Sequence, residues 1–233
     1  MSNLTVQNII DRARYRYNAV NDDFFTDCEL MDLIFDGQAI LAKEGWIIEK
    51  TYTTAAIDGT RAYTYPTTTL AIKEIRHDYD VLRKTKLKLD PKTSATEAEG
   101  TPREYALWQD TIYLYPTPDT DGSLDGSGNR VNYIDIKVYK YPDAITSTAD
   151  LIEVPEEYKE DLIYFMLQWM AMKDQNTVLS DRYKLLWDEA VLRAKKQRKK
   201  RLRGDMNTRV SDYYFGSDVP SNVDEAFYYN RGY

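Results

Sequence analysis

The first pattern in the sequence is a stripe of apolar residues at helical spacing near the N-terminus. The stripe predicts a helix over residues 6–17, with Thr5 as its N-cap. The residues of this stripe are Ile9, Ile10, Ala13 and Tyr17. A capping box formed by Thr26 and Glu29 predicts a second helix, which should continue to a left-handed stop at Gly45.

Gly37 lies inside the second predicted helix, where glycine costs about 1 kcal/mol relative to alanine. A close approach of another helix would explain why a residue without a side chain is found there. We therefore predict that the first two helices pack against each other.

Between Trp46 and Tyr141 the apolar spacing changes to the strand period of two. The predicted strands cover residues 46–53, 62–65, 70–79, 81–89, 105–107, 111–115 and 133–141. Two of them, joined by Gln109 and Asp110, form a predicted hairpin that stops at the following prolines. We expect the strands to pair in antiparallel fashion.

Pro155 predicts the start of a third helix, with Glu156 and Glu157 at its positive end. Residues 162–172 are apolar nearly all round, so we expect this helix to be the central and most buried one.

A tight turn over residues 174–176 leads to a fourth predicted helix over residues 178–203, which we expect Gly204 to stop. The predicted buried face of this helix consists of Leu179, Tyr183, Leu186, Ala190, Val191 and Ala194.

These patterns predict an α+β fold: a four-helix α-helical bundle with an antiparallel β module inserted between helices 2 and 3, plus an extended C-terminal tail. We assign residues 1–45 to the N-terminal helices of the bundle and residues 46–150 to the inserted β module. Residues 151–203 form the C-terminal helices and residues 204–233 the tail.

The tail contains no Leu or Ile, yet it is rich in aromatic residues. Tyrosine is abundant in the whole chain, at 20 of 233 residues, and its amphipathic ring suits surfaces that become interfaces. We predict that the tail docks on a partner through its aromatic side chains. These are Tyr213, Tyr214, Phe215, Phe227, Tyr228 and Tyr229.

The end of the fourth helix carries eight positive charges within eleven residues and no acidic residue among them. These residues are Arg193, Lys195, Lys196, Arg198, Lys199, Lys200, Arg201 and Arg203. The whole chain has a net charge of −7, so the remaining residues carry −15. Favourable interaction with the end of the helix dipole would need fewer charges, so we interpret the run as a charged interface and not as a solvated helix end. We favour a protein partner over DNA.

The sequence offers little for catalysis, metals or cofactors, and we expect no enzyme activity and no cofactor. His77 is the only histidine and is interpreted as a half-exposed strand residue. Cys28 is the only cysteine, and the acidic loop with Asp119, Asp121 and Asp125 departs from a calcium-binding pattern. No apolar run reaches the length of about 20 residues that a membrane helix needs, so we expect a soluble protein.

Three segments resemble the head-to-tail adaptor (connector, or head-completion) proteins of tailed bacteriophages. The first is the end of the second helix, Ala42-Lys43-Glu44-Gly45-Trp46; the second is the hairpin of residues 100–118 with residues 134–142. The third segment, from Val154-Pro155-Glu156-Glu157-Tyr158 to Trp187, is similar to the apolar helix, turn and charged helix of this family.

The resemblance implies a structural virion protein that forms a ring, commonly of twelve identical subunits, between the portal protein and the tail or nozzle protein. Such a ring would extend the DNA channel, let the genome pass without specific binding, and provide the tail attachment surface. The resemblance places the protein at the portal–tail junction after assembly in the host cytoplasm. The alternatives are a DNA-binding accessory protein of phage assembly and, with less support, a tail-associated enzyme.

Overall fold

The structure is a computed structural model that describes residues 4–20, 23–85 and 99–211, with side chains described as far as Arg201. Within these residues there are four α-helices and several β-sheets, almost entirely antiparallel, so the predicted α+β class is confirmed. The helices are α1 (Val6–Tyr17), α2 (Asp27–Gly45), α3 (Lys159–Lys173) and α4 (Thr177–Ser211), and a single 3₁₀ turn (Glu156–Tyr158) precedes α3.

The starts of the first two helices follow their predicted caps. The Thr5 hydroxyl accepts a hydrogen bond from the backbone N–H of Asn8, and the Thr26 hydroxyl accepts one from Glu29, at 3.3 and 3.4 Å. Each contact satisfies an N–H group that has no partner within its helix. Because cap and apolar stripe are both local signals, α1 has the predicted bounds.

The predicted left-handed stop at Gly45 is wrong by one residue, since Trp46 adopts that conformation with φ 51°. Gly45 is instead the last residue of α2, at a close approach to α4. A Cβ atom on Gly45 would lie 2.8 Å from the Cβ of Ala194 and 2.9 Å from a methyl group of Ile47. The glycine is therefore explained by helix packing and not by backbone conformation.

Gly37 also marks a close approach of two helices, as predicted, but the partner is α3 instead of α1. A Cβ atom at this position would lie 2.9 Å from Leu162 and 3.1 Å from the ring of Phe165. Helices α1 and α2 do contact each other, although less closely than each contacts α3.

Helix α3 is the central helix, as its sequence predicts, because it packs against α1, α2 and α4. One hydrophobic cluster joins α3 to α1 and α2, with Ile9, Ile34 and Met166 at its centre. A second cluster joins α3 to α2 and α4 and contains Trp187 and the small residues that let the helices approach.

Helix α4 differs from its prediction at its C-terminal end. Gly204 does not stop it, and the helix continues to Ser211, so the first residues assigned to the tail are helical. One glycine costs only about 1 kcal/mol in a helix interior, which is too little to end a helix without an opposing contact. The inward face of α4 is built from Ser180, Trp187, Ala190 and Ala194, with Tyr183, Leu186 and Val191 partly buried beside them.

Between α2 and the 3₁₀ turn, the described residues form ten strands. They are β1 (Glu49–Ala55), β2 (Ala62–Thr64), β3 (Thr69–His77), β4 (Asp80–Val81), β5 (Arg83–Lys84), β6 (Glu104–Trp108), β7 (Thr111–Tyr115), β8 (Ser123–Leu124), β9 (Arg130–Val131) and β10 (Tyr133–Lys140). One sheet has the order β1-β10-β3-β4, another the order β2-β7-β6-β5, and β8 pairs with β9.

The strand predicted over residues 81–89 is wrong in its described part, because the chain there changes from one sheet to the other. Strand β4 pairs with β3, and β5 pairs with β6 after the buried residue Leu82. The β5–β6 pair is parallel, an exception to the antiparallel arrangement that we predicted. Residues 86–89 lie outside the described part of the chain.

The two larger sheets face each other across a shared apolar core. Ile75, Ile134 and Val138 come from the first sheet, and Ile112 and Leu114 from the second. The β6–β7 hairpin has its predicted two-residue turn, with Trp108 opposite Thr111.

A buried lysine ties the β-sheets to the helices. The Lys140 ammonium group, with only 3% of the residue exposed, lies 2.8 Å from Asp143 and 2.9 Å from Glu153. Burial acts to lower the pKa of Lys140, but the hydrogen bonds to these two carboxylates outweigh it, and the pKa is raised. The Gln38 side-chain oxygen of α2 accepts a hydrogen bond from the Glu153 backbone at 2.9 Å, which extends the network into the helices.

Candidate interaction surface

The outward face of α4 carries three large aliphatic residues that the described part of the chain leaves uncovered. Val178 is 81% exposed, Leu185 67% and Leu192 55%. They follow one another at intervals of seven residues, close to two helical turns, so they line one side of the helix. We call Val178, Leu185 and Leu192 the α4 stripe.

The predicted charged run lies at the end of α4 beyond this stripe, and the structure divides it into two groups. In the first group, Arg193 donates a hydrogen bond to the Asp161 carboxylate at 2.6 Å. Lys195 lies 3.4 Å from Glu44 of α2. These cations therefore hold α4 against the neighbouring helices.

Two further arginines of the first group contact the segment that follows α2. The Arg198 guanidinium lies 4.0 Å from the centre of the Trp46 ring, a cation–π contact. Arg201 donates a hydrogen bond to the Trp46 carbonyl oxygen at 2.6 Å and lies 3.8 Å from Glu49. Because Trp46 also stacks on Tyr139 of β10, these arginines join α4 to the β-sheets.

The second group consists of Lys196, Lys199 and Lys200, which are exposed. Within the described residues, none of these three lysines lies within ion-pair distance of a carboxylate. Lys199 follows Leu192 by seven residues and so continues the α4 stripe in register, and Lys196 and Lys200 lie beside it. The side chain of Arg203 lies outside the described residues.

Asp161, the partner of Arg193, is the most strongly buried acidic group that contacts the basic run. Only 3% of the residue is exposed, and burial raises the pKa of its carboxyl group although Arg193 acts to lower it. This pair therefore fixes the position of α4 at some electrostatic cost.

The predicted aromatic docking residues of the tail lie outside the described residues, so their role stays a prediction. They are Tyr213, Tyr214, Phe215, Phe227, Tyr228 and Tyr229. The α4 stripe was missed by the sequence reasoning, although the seven-residue spacing of its members is visible in the sequence.

On sequence grounds, His77 was considered for catalysis and the acidic loop for calcium binding. His77 is 5% exposed, so its interpretation as a half-exposed residue is wrong; it lies on a strand paired on both sides. The Asp125 carboxylate accepts hydrogen bonds from the backbone of Ser127 and Asn129 and closes its own loop, which lowers its pKa. No group of three metal-binding side chains occurs in the part of the chain that the structure describes.

None of the described helices combines the length and the apolar character that crossing a membrane requires.

The comparison with known families identifies a class of phage proteins. The chain matches the model of the SU10 adaptor protein family over residues 4–212 and belongs to this family. The resemblance to bacteriophage head-to-tail adaptors is thereby confirmed, and the protein is a virion component. No curated protein matches the chain.

Proposed function

We propose that this adaptor forms a ring between the portal protein and the tail or nozzle protein, with twelve copies as in the family that it resembles. The ring would extend the DNA channel and provide the tail attachment surface. One observation carries this proposal: the α4 stripe and the three lysines that continue it are uncovered by the described residues. An apolar row of this kind on a charged helix is typical of a surface that an assembly covers.

The helices would act as one four-helix bundle into which residues 46–150 are inserted as a β module. Support comes from contacts between α2 and the segment that follows the insertion. The Gln38 side chain of α2 accepts hydrogen bonds from the backbone of Glu153 and Val154, where the chain returns from the sheets. In this arrangement the bundle presents α4 to the portal or a neighbouring copy, and the loops of the β module face the tail.

The genome would pass through the ring without specific binding, and the protein would need no catalysis, cofactor or membrane. Outside the basic run the chain is strongly acidic, and an acidic channel wall repels phosphate groups. Assembly would take place in the host cytoplasm before the protein occupies the portal–tail junction.

A DNA-binding accessory role is the second candidate, and the exposed group Lys196, Lys199 and Lys200 is the observation in its favour. Three phosphate contacts predict that log K falls with log salt concentration with a slope of about −2.7. The other cations of the run whose side chains are described contact residues of the same chain. A tail-associated enzyme has less support, since the single histidine, His77, is buried and no spacing in the sequence singles out a catalytic pair of carboxylates.

The test is assembly on purified portal, followed by electron microscopy and sedimentation. Leu185→Asp/Leu192→Asp should fold like the wild type, because both side chains are largely exposed, but should weaken ring formation at least tenfold. Leu124→Asp is the matched control, at 63% exposure on β8, and should assemble normally. Equal assembly of the double variant and the control would contradict the proposal for α4.

The lysines require a separate measurement. Lys196→Glu/Lys199→Glu/Lys200→Glu should weaken assembly more at low than at high salt, since exposed charges are screened. Binding of DNA with the salt slope given above, together with normal assembly of this triple variant, would favour the DNA-binding alternative.

A further inference from the structure

An apolar groove lies between the beginning of α2 and the end of α3, on the side of the bundle where α4 starts. Its volume is about 230 Å³, and the exposed side chains at its edge include Trp169 (41%) and Met172 (50%). The groove is lined by Phe25, Glu29, Leu30, Leu33, Trp169, Met170, Met172 and Lys173.

The size and chemistry of the groove suit one aromatic side chain. A cavity of about 150 Å³ lined by apolar residues holds a benzene molecule, so this groove has room for a phenol ring and its Cβ. At one end the Lys173 ammonium lies 2.5 Å from the Glu29 carboxylate. This polar pair can donate to or accept from a tyrosine hydroxyl, while methionine and tryptophan contact the ring.

We propose that the groove binds the aromatic segment Phe227-Tyr228-Tyr229 of a neighbouring copy. This inference rests on the proposed function, since it names the contact by which ring neighbours would hold each other. The segment is the last aromatic cluster of a tail that contains no Leu or Ile, and after Ser211 its large apolar side chains are aromatic rings. Tyr and Phe are also the residues that commonly anchor interfaces in pockets.

The length of α4 decides between the same copy and a neighbour. Its 35 residues span about 50 Å, and the groove lies at the end where the helix begins. From Ser211 to Phe227 there are sixteen residues, which span about 54 Å when fully extended. A tail that returned to its own groove would have to be almost completely stretched, at a large cost in conformational entropy.

The limited length of the tail is no obstacle if the groove belongs to a neighbouring copy, because packing in a ring can bring the neighbour's groove near the end of α4. The earlier aromatic cluster, Tyr213-Tyr214-Phe215, is only two to four residues past Ser211 and cannot reach its own groove at all. The groove of a neighbouring copy is therefore the pocket that we propose for the second cluster.

The experiment uses the full chain with Tyr228 replaced by the photoreactive residue p-benzoylphenylalanine, which attacks C–H bonds beside methionine sulfur readily. Isotopically heavy and light copies are mixed, assembled on the portal, irradiated and digested. We expect crosslinks from position 228 to Met170 or Met172 that join heavy to light copies. Met172→Glu should reduce their yield at least tenfold, and Leu124→Glu, on another exposed site, should not.

Crosslinks to the portal, to the α4 stripe or only within one copy would overturn the proposal, as would a yield that Met172→Glu leaves unchanged. Rings that form without heavy–light crosslinks overturn the groove contact and leave the ring intact. The same mixture is also irradiated at high concentration without portal. Heavy–light crosslinks there, with no ring on the portal, would support the groove contact and contradict the proposed function.

Discussion

Replacing Arg193 by methionine should destabilise the protein, because the Asp161 carboxylate would stay buried without its cation. One Asp161 oxygen lies 2.6 Å from the Arg193 guanidinium. The other oxygen has no hydrogen-bond partner among the described residues. The carboxylate therefore depends on a single strong contact.

The magnitude follows from the exposure of the two side chains. A hydrogen bond to a charged group contributes about 1.5–3 kcal/mol, and loss of one partner of a fully buried ion pair costs about 3–5 kcal/mol. The Arg193 side chain is 61% exposed, so water can replace part of the lost contact. We expect Arg193→Met to cost about 2 kcal/mol at pH 7, which corresponds to a decrease in Tm of about 4–8 °C in a chain of this length.

The cost should depend on pH. Because burial raises the pKa of Asp161, the folded protein binds this proton more readily than the unfolded chain, and stability falls as pH rises through the folded pKa. Loss of Arg193 raises that pKa further. The free-energy difference between variant and wild type should therefore be largest at neutral pH and should disappear as pH falls below the ordinary value near 3.8.

Urea unfolding at neutral and acid pH tests this reasoning with four proteins: wild type, Arg193→Met, Asp161→Asn and the double variant. In the Asp161→Asn background the arginine substitution should cost less than about 1 kcal/mol. Arg16→Met is the control, because the Arg16–Glu160 pair has the same 2.6 Å distance but both side chains are well exposed. Equal costs for the two arginine substitutions, or a cost that Asp161→Asn leaves unchanged, would refute the account.

Two further predictions concern packing and ionisation. Gly45→Ala should cost about 1–2 kcal/mol in urea unfolding, because overpacking against Ala194 exceeds the gain in helix propensity; Gly126→Ala, in open space, should cost nothing comparable, and equal costs would contradict this explanation. Burial, with a hydrogen bond donated to Asp174, raises the pKa of Tyr17 to about 12. Asp174→Asn should lower that pKa toward 10, measured by NMR of ¹³C-labelled tyrosine, and an unchanged pKa would show that the carboxylate plays no part.

The elements that the sequence predicted well are those with local causes. Helix α1 has a cap and an apolar stripe within one short segment, and the β6–β7 hairpin has its turn between two alternating runs. Both patterns are complete without knowledge of any distant residue.

The incorrect predictions concern positions whose conformation depends on contacts with residues that are distant in the sequence. Nothing local shows that the chain changes sheets at Leu82, since both sides of this residue have strand-like sequences. Gly45 looks like a helix stop until α4 is seen to pack against it. The extent of α4 past Gly204 could not be predicted either, because one glycine only weakens a helix.

The basic run shows the same limit for the candidate surface. The charge of the run was evident from the sequence. Which of its cations contact the same chain and which stay exposed depends on partners more than 30 residues away, such as Asp161 and Glu44. The α4 stripe has a regular spacing, yet apolar residues on both sides of one helix do not reveal which side is covered. Only the positions of α2 and α3 decide this.

The most direct test of the central claim is electron microscopy of full-length protein mixed with its portal, compared with the protein alone. We expect single copies in solution and a closed ring on the portal, in which the α4 stripe contacts the portal or a neighbouring copy. A protein that stays single beside intact portal, or a ring in which the α4 stripe still faces solvent, would contradict it.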